Sequence, residues 1–186
     1  MNVVYLQEKE TKKHSNKLLS IKNYCNSKGI NLFSPEHTTP YHMLLSTYDF
    51  LEKNKDEKTI LVGYSIGGLL TLLLNQELHI PCMLINPILH PGTELENQSS
   101  IYVRQSDIDE LRSIQMDLFS LKNKNIHLFL SLNDRVVNSR KLIKELEGSS
   151  IPIYTYSIGG HLCSHFQNIL QEKIFPLISY YIVPPK

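Results

Sequence analysis

At 186 residues, with 41% hydrophobic and 20% charged residues, the chain has the length and composition of one globular domain with a full core. A net charge of +1 gives no general reason to expect nucleic acid or an acidic membrane as partner. Three widely spaced cysteines (Cys25, Cys82, Cys163), a start that lacks a basic segment, and the absence of any apolar run near ~20 residues argue against a disulfide framework, a signal peptide and a membrane span, so a cytoplasmic protein is expected.

Val3-Val4-Tyr5-Leu6 reads as a buried first strand. The polar stretch behind it carries Lys9, Lys12, Lys13 and Lys17, a cluster that reads first as solvated surface and second as a greeting for an anionic substrate. Leu18, Ile21 and Cys25 share a helical face that Gly29 ends, and Ile30 to Phe33 is the second strand. Thr39-Pro40 supplies an N-cap and first helical residue, with Leu44, Tyr48 and Leu51 continuing the face.

Thr59 to Val62, rich in β-branched residues, then runs into Gly63-Tyr64-Ser65-Ile66-Gly67-Gly68 and the apolar helix beyond. Strand, sharp turn and buried helix are the context of a nucleophile elbow. Small neighbours at Gly63 and Gly67 leave room for a strained turn, and Gly68 lets the helix lie close to the sheet. Ser65 then stands at a helix N-terminus, where the Ile66 N–H has no partner within the helix and is available to an oxyanion. Neither a Lys-Ser/Thr pair nor the dinucleotide glycine spacing is present, which weakens a phosphate-binding reading.

His79 to Ile85 is the expected fourth strand, ending at Asn86-Pro87. Residues 88–125 form the longest stretch without a strand, with a capping box at Ser106 to Asp109 and a stripe at Leu111, Ile114 and Leu118; it reads as a crossover helix or as a small helical cap. Ile126 to Leu132 is the fifth strand, followed by Asn133-Asp134-Arg135 and a helix that Asn138 caps. Ile151 to Ile158 is the sixth strand, and Gly159-Gly160-His161 leads to a last amphipathic helix from Phe166 to Tyr181.

Six strands alternating with helices predict a single α/β domain with a parallel sheet ordered 2-1-3-4-5-6 and helices on both faces. Ser65, Asp134 and a histidine each fall just beyond the carboxyl end of a strand, in the chain order of an α/β-hydrolase triad. A serine needs an imidazole to take its proton, and the imidazole needs a carboxylate to fix its tautomer. Asp134 is the first choice of carboxylate, with Asp109 and Asp117 behind it. For the base, His161 lies in the loop, and His165 opens the final helix; both stay open, with His161 preferred. The other histidines, at 14, 37, 42, 79, 90 and 127, read as surface or loop residues, His90 being a candidate for the mouth of the site.

The chain resembles the YqiA-like esterases, small single-domain α/β-hydrolases, and more distantly the serine hydrolases of the retinoblastoma-binding-protein-9 type. Tyr5-Leu6, Gly63 to Gly68, Ile85-Asn86-Pro87, Asp134-Arg135-Val136 and Gly159-Gly160-His161 with Ser164 and Phe166 carry the likeness. It implies a serine acyl hydrolase that acts on a small or medium acyl ester or thioester, with no metal or cofactor. Where that family has His-Gly after the first strand, this chain has Gln7-Glu8; the resemblance then implies a second oxyanion donor near Lys9, with the Glu8 charge close by. One residue fewer separates Gly160 from His161 than in the family pattern, so matching on the last helix selects His165. A catalytically weak member of the fold that binds a ligand or protein in the same pocket is the alternative, and an α/β nucleotide-binding domain is a third.

Overall fold

A computed structural model of the chain describes residues 1–7, 16–36, 39–95, 109, 111–112, 114 and 125–182. Glu8, Lys9, Lys12, Lys13, Asp117, Leu118 and most of the 106–109 capping box lie outside these residues. Among the described residues the elements run β1 (Asn2–Leu6), α1 (Asn16–Lys28), β2 (Asn31–Phe33), α2 (Pro40–Lys53), β3 (Thr59–Tyr64), α3 (Ile66–Leu78), β4 (Cys82–Ile85), α4 (Pro91–Glu94), β5 (Ile126–Ser131), α5 (Ser139–Glu145) and β6 (Ile153–Tyr156). A helical run then closes the described chain, made of Phe166–Ile169, a π-helical stretch Leu170–Ile174, and Phe175–Ile182.

The six described strands form one sheet in the order β2-β1-β3-β4-β5-β6, and every neighbouring pair is parallel. Strands β1, β4 and β5 are buried along their whole length, as continuous apolar runs must be when helices cover both faces. Alternation of side chains divides the core in two. Val4, Leu6, Leu61, Leu84, Leu128 and Leu130 meet α2, α3 and α5 on one face. Val3, Tyr5, Val62, Met83, Ile85 and Phe129 meet α1 and the C-terminal run on the other.

Several boundaries differ from the sequence reading for local reasons. The fourth strand begins at Cys82 and not at His79, because His79 adopts a left-handed conformation (φ 56°) as the C-cap of α3 and returns its N–H to the Asn75 carbonyl. The last helix contains a π-helical stretch just ahead of Pro176, whose ring crowds the carbonyl four residues earlier and which has no N–H to donate. His127, expected at the surface, lies in β5 and is 7% exposed. The helix caps expected at Thr39 and Asn138 are present: their side chains accept from the N–H groups of His42 and Lys141. Cys25, Cys82 and Cys163 are free and buried. No helix among the described residues is long and apolar enough to cross a membrane.

Candidate active site

Strand register aligns the carboxyl ends that build the site. Leu6 pairs with Gly63, Tyr64 with Ile85, Ile85 with Phe129, and Ser131 with Tyr156, so the residues that follow these strands emerge along one edge. Ser65 comes directly after β3 with φ 57° and ψ −124°, a region that side-chain-bearing residues seldom occupy. Its N–H donates to the Ile85 carbonyl (3.1 Å), and its own carbonyl accepts from Gly68 (2.9 Å) and Ile88 (3.1 Å), which holds the turn from both sides. Serine at an N-cap ordinarily bonds the first helical N–H groups; here it makes no side-chain cap bond. Its Oγ lies instead 2.8 Å from His161 Nε2. Ile66 is the first residue of α3, so its N–H has no acceptor within the helix and flanks the serine. The second donor expected near Lys9 lies outside the described residues.

The glycines of the elbow serve close approach. A Cβ on Gly67 would lie 2.1 Å from the Leu6 carbonyl oxygen, so only glycine lets α3 cross the end of β1. A Cβ on Gly68 would lie 2.6 Å from Pro87 Cβ; this glycine makes room for the Asn86-Pro87 turn, whereas the sequence reading assigned it to helix–sheet contact.

Beyond β5, the Asp134 side chain folds back on its own turn, Oδ1 accepting from the N–H groups of Val136 (2.7 Å) and Val137 (3.0 Å). That leaves Oδ2 directed at His161 Nδ1, 2.9 Å away. The carboxylate is fully buried and the imidazole 10% exposed. A carboxylate at Nδ1 keeps the proton on that nitrogen and presents Nε2 to Ser65 as an acceptor. His165, the N-cap of the last helical run, makes no hydrogen bond to Ser65 or Asp134. Asp109 is exposed and paired with Arg112 (3.1 Å), and Asp117 lies outside the described residues.

Several polar groups here were not assigned a role from the sequence. Asn86, 1% exposed and at φ 41°, accepts from the Ser131 N–H (2.8 Å) and donates to the Gly160 carbonyl (3.0 Å). Asn133 accepts from the Gly160 N–H (2.9 Å), and the Tyr64 hydroxyl donates to the His161 carbonyl (2.6 Å). Glu94 approaches from α4; burial raises its pKa, with a further push from the Asp134 charge, against the bond it accepts from the His90 N–H (2.8 Å). His90 itself pairs with Glu145 through Nε2 (2.8 Å). Burial pushes the Cys163 thiol up to about 11, so this neighbour of the histidine stays protonated and is a poor nucleophile. Asn86 had a sequence signal, as part of the Asn-Pro turn, and His90 was a candidate for the mouth of the site; the others depend on loops meeting in space.

Solved structures share the architecture. Alpha/beta hydrolase domain-containing protein 10 from mouse superposes with a TM-score of 0.74 at 15% identity, covering 96% of this chain and 89% of that one. Est1E from Butyrivibrio proteoclasticus, solved with ferulic acid bound, gives 0.74 at 11% identity over 98% and 90%. The esterase domain of a Rhodothermus marinus protein gives 0.68 at 13% identity over 97% and 87%. These likenesses, with the sheet order and the elbow, show the α/β-hydrolase fold. No curated protein matches the sequence significantly. The sequence profile of the uncharacterised protein family UPF0227, the YqiA-like family, matches residues 11–174, and the chain belongs to that family.

Proposed function

We propose that this protein is a serine acyl hydrolase, an esterase or thioesterase for small or medium acyl substrates. The observation that carries the reading is the continuous hydrogen-bonded path from Ser65 Oγ through His161 to Asp134, at 2.8 and 2.9 Å, with the serine held on a strained turn. Ser65 Oγ attacks the acyl carbon as His161 Nε2 takes its proton, and Asp134 stabilises the resulting imidazolium. The negative charge on the carbonyl oxygen is met by the Ile66 N–H and by a backbone N–H near Lys9. His161 then passes the proton to the departing alcohol or thiol, leaving the acyl group on Ser65, and a water activated by the same imidazole releases the acid. Structural likeness to an esterase domain and to Est1E supports the same class of chemistry.

A fluorophosphonate probe tests the reading directly. Intact-mass and peptide analysis should find one adduct, on Ser65, and a panel of acyl esters and thioesters should show turnover. A second reading, a pocket that binds without turning over, is favoured by Gln7-Glu8, because a carboxylate beside a developing oxyanion opposes it. Failure of Ser65 to react while a ligand still raises the melting temperature would establish that second reading and sink the first.

A further inference from the structure

The segment that carries His161 closes on itself through the Cys163 N–H to the Gly160 carbonyl (3.2 Å) and the Ser164 N–H to the Gly159 carbonyl (3.1 Å), with Cys163 2% exposed in the core beneath. Gly159 (φ 127°), Gly160 (φ 59°) and Cys163 (φ 54°) all have positive φ, and Leu162, next to His161, is 76% exposed. A side-chain-bearing residue such as Cys163 keeps such a conformation only where its surroundings impose it. Those surroundings are specific. The Tyr64 hydroxyl donates to the His161 carbonyl at 2.6 Å, and Asn86 Nδ2 donates to the Gly160 carbonyl at 3.0 Å, with the His161 carbonyl (3.4 Å) and Ser131 Oγ (3.2 Å) also in reach. The orientation of the Asn86 amide follows from its other end, where Oδ1 accepts the Ser131 N–H at 2.8 Å. Tyr64 and Asn86 are 4% and 1% exposed, so water competes little for these bonds.

We infer that Tyr64 and Asn86 are positioning residues that bind the backbone of the histidine loop to the strand ends carrying the nucleophile, and thereby set the Ser65–His161 distance. Tyr64 directly precedes Ser65 and Asn86 directly follows β4, whose Ile85 carbonyl accepts the Ser65 N–H. The base is thus tied to the nucleophile's own backbone as well as to the carboxylate. A misplacement of about 1 Å in such an arrangement costs on the order of 100-fold in rate. The kinetic consequence rests on the hydrolase reading above; the tie itself does not.

Two substitutions separate positioning from mere stability. Tyr64→Phe removes one hydroxyl and no packing volume. Asn86→Asp keeps the shape and the acceptor for Ser131 but turns a carboxylate oxygen toward the carbonyls of Gly160 and His161. With p-nitrophenyl acetate, Tyr64→Phe should lower kcat about tenfold and Asn86→Asp about 100-fold, with KM within about twofold of the parent and the rate of fluorophosphonate labelling of Ser65 falling in step. The control is Tyr24→Phe, which removes another tyrosine hydroxyl bonded to a backbone carbonyl (Phe175, 3.0 Å), in a different part of the molecule, and should leave kcat unchanged. An activity-independent reading comes from the His161 imidazole in ¹H–¹⁵N spectra: one sharp set of resonances in the parent, broadened or doubled in Tyr64→Phe. Parent protein that never labels at Ser65 defeats the hydrolase reading, and the imidazole spectra still decide the tie. Should Asn86→Asp fail to fold, Tyr64→Phe decides alone. Tyr64→Phe with parent-like kcat and labelling, or with unaltered His161 resonances, overturns the inference.

Discussion

The carboxyl edge of the sheet and the buried start of β5 each hold a histidine, and the two are built differently. His161 stands beyond β6, its Nδ1 on the Asp134 carboxylate and its Nε2 on Ser65. His127 lies within β5 on the face covered by the C-terminal helical run, where Nε2 meets the Tyr181 hydroxyl at 3.0 Å and Nδ1 the Tyr154 hydroxyl at 3.5 Å, with the Tyr154 ring stacked beside it. Hydroxyls can satisfy an imidazole without a charge, whereas a carboxylate favours the imidazolium that proton transfer creates. The buried start of β5 therefore accommodates a neutral histidine as a polar packing group, and the loop beyond β6 offers one that can take a proton from a neighbour.

The largest expected effect breaks the comparison at the site itself. Ser65→Ala and His161→Ala should each remove about 10⁴-fold or more of acyl-ester turnover, and the double variant little beyond either, because the two act as a unit. His165→Ala and His127→Leu should keep kcat within about twofold. Near-parent turnover in Ser65→Ala would assign the measured hydrolysis to another site. Loss of labelling in His165→Ala with retention in His161→Ala would reverse the choice of base.

The second prediction concerns how tightly the edge is built. Gly67→Ala drives a Cβ to 2.1 Å from the backbone oxygen of Leu6, which no rotamer change relieves, so urea unfolding should show a loss of about 3 kcal/mol or more. Gly148→Ala meets open space and carries only the strain of φ 83°, an expected loss of about 1–2 kcal/mol. Equal losses at the two positions would show that the crossing of α3 over β1 has slack.

These contrasts also mark what the sequence made legible. Continuous apolar runs located the strands, and the spacing of Gly63, Ser65 and Gly67 located the elbow, because both signals are local. Ser65, Asp134 and the two candidate bases, His161 and His165, fall beyond strand ends in the sequence, and the structure brings Ser65, Asp134 and His161 together. The ties from Tyr64 and Asn86 to the histidine loop were not legible, since nothing in either residue's neighbourhood says that a loop 74 to 97 residues away will lay its carbonyls there. His127 was misread for a related reason. A single polar residue in an apolar run looks like a surface position until the tyrosines that satisfy it, one strand and one helix away, are known. The start of β4 and the π-helical stretch before Pro176 turned on backbone geometry that side-chain patterning does not report.

The smallest expected effect sharpens the comparison through pH. Burial lowers the pKa of His127 below its ordinary value of 6.5, so the folded protein holds this ring neutral under conditions where the unfolded chain has begun to protonate it. Between the folded and unfolded values the unfolded state binds more protons, and stability rises with pH; the contribution is complete above about 6.5 and is lost as pH falls toward the folded value. His127→Leu should cost about 1 kcal/mol at pH 7.5, because the hydroxyls of Tyr154 and Tyr181 lose a partner while remaining partly accessible to water. At pH 5.5 the gap between parent and variant should narrow, since leucine has no proton to gain on unfolding. Urea denaturation at the two pH values measures this directly, in a Ser65→Ala background that excludes any contribution from turnover. A gap that widens on acidification would mean that His127 is protonated in the folded state, and that the buried start of β5 tolerates a charge which the hydroxyl pair alone does not explain.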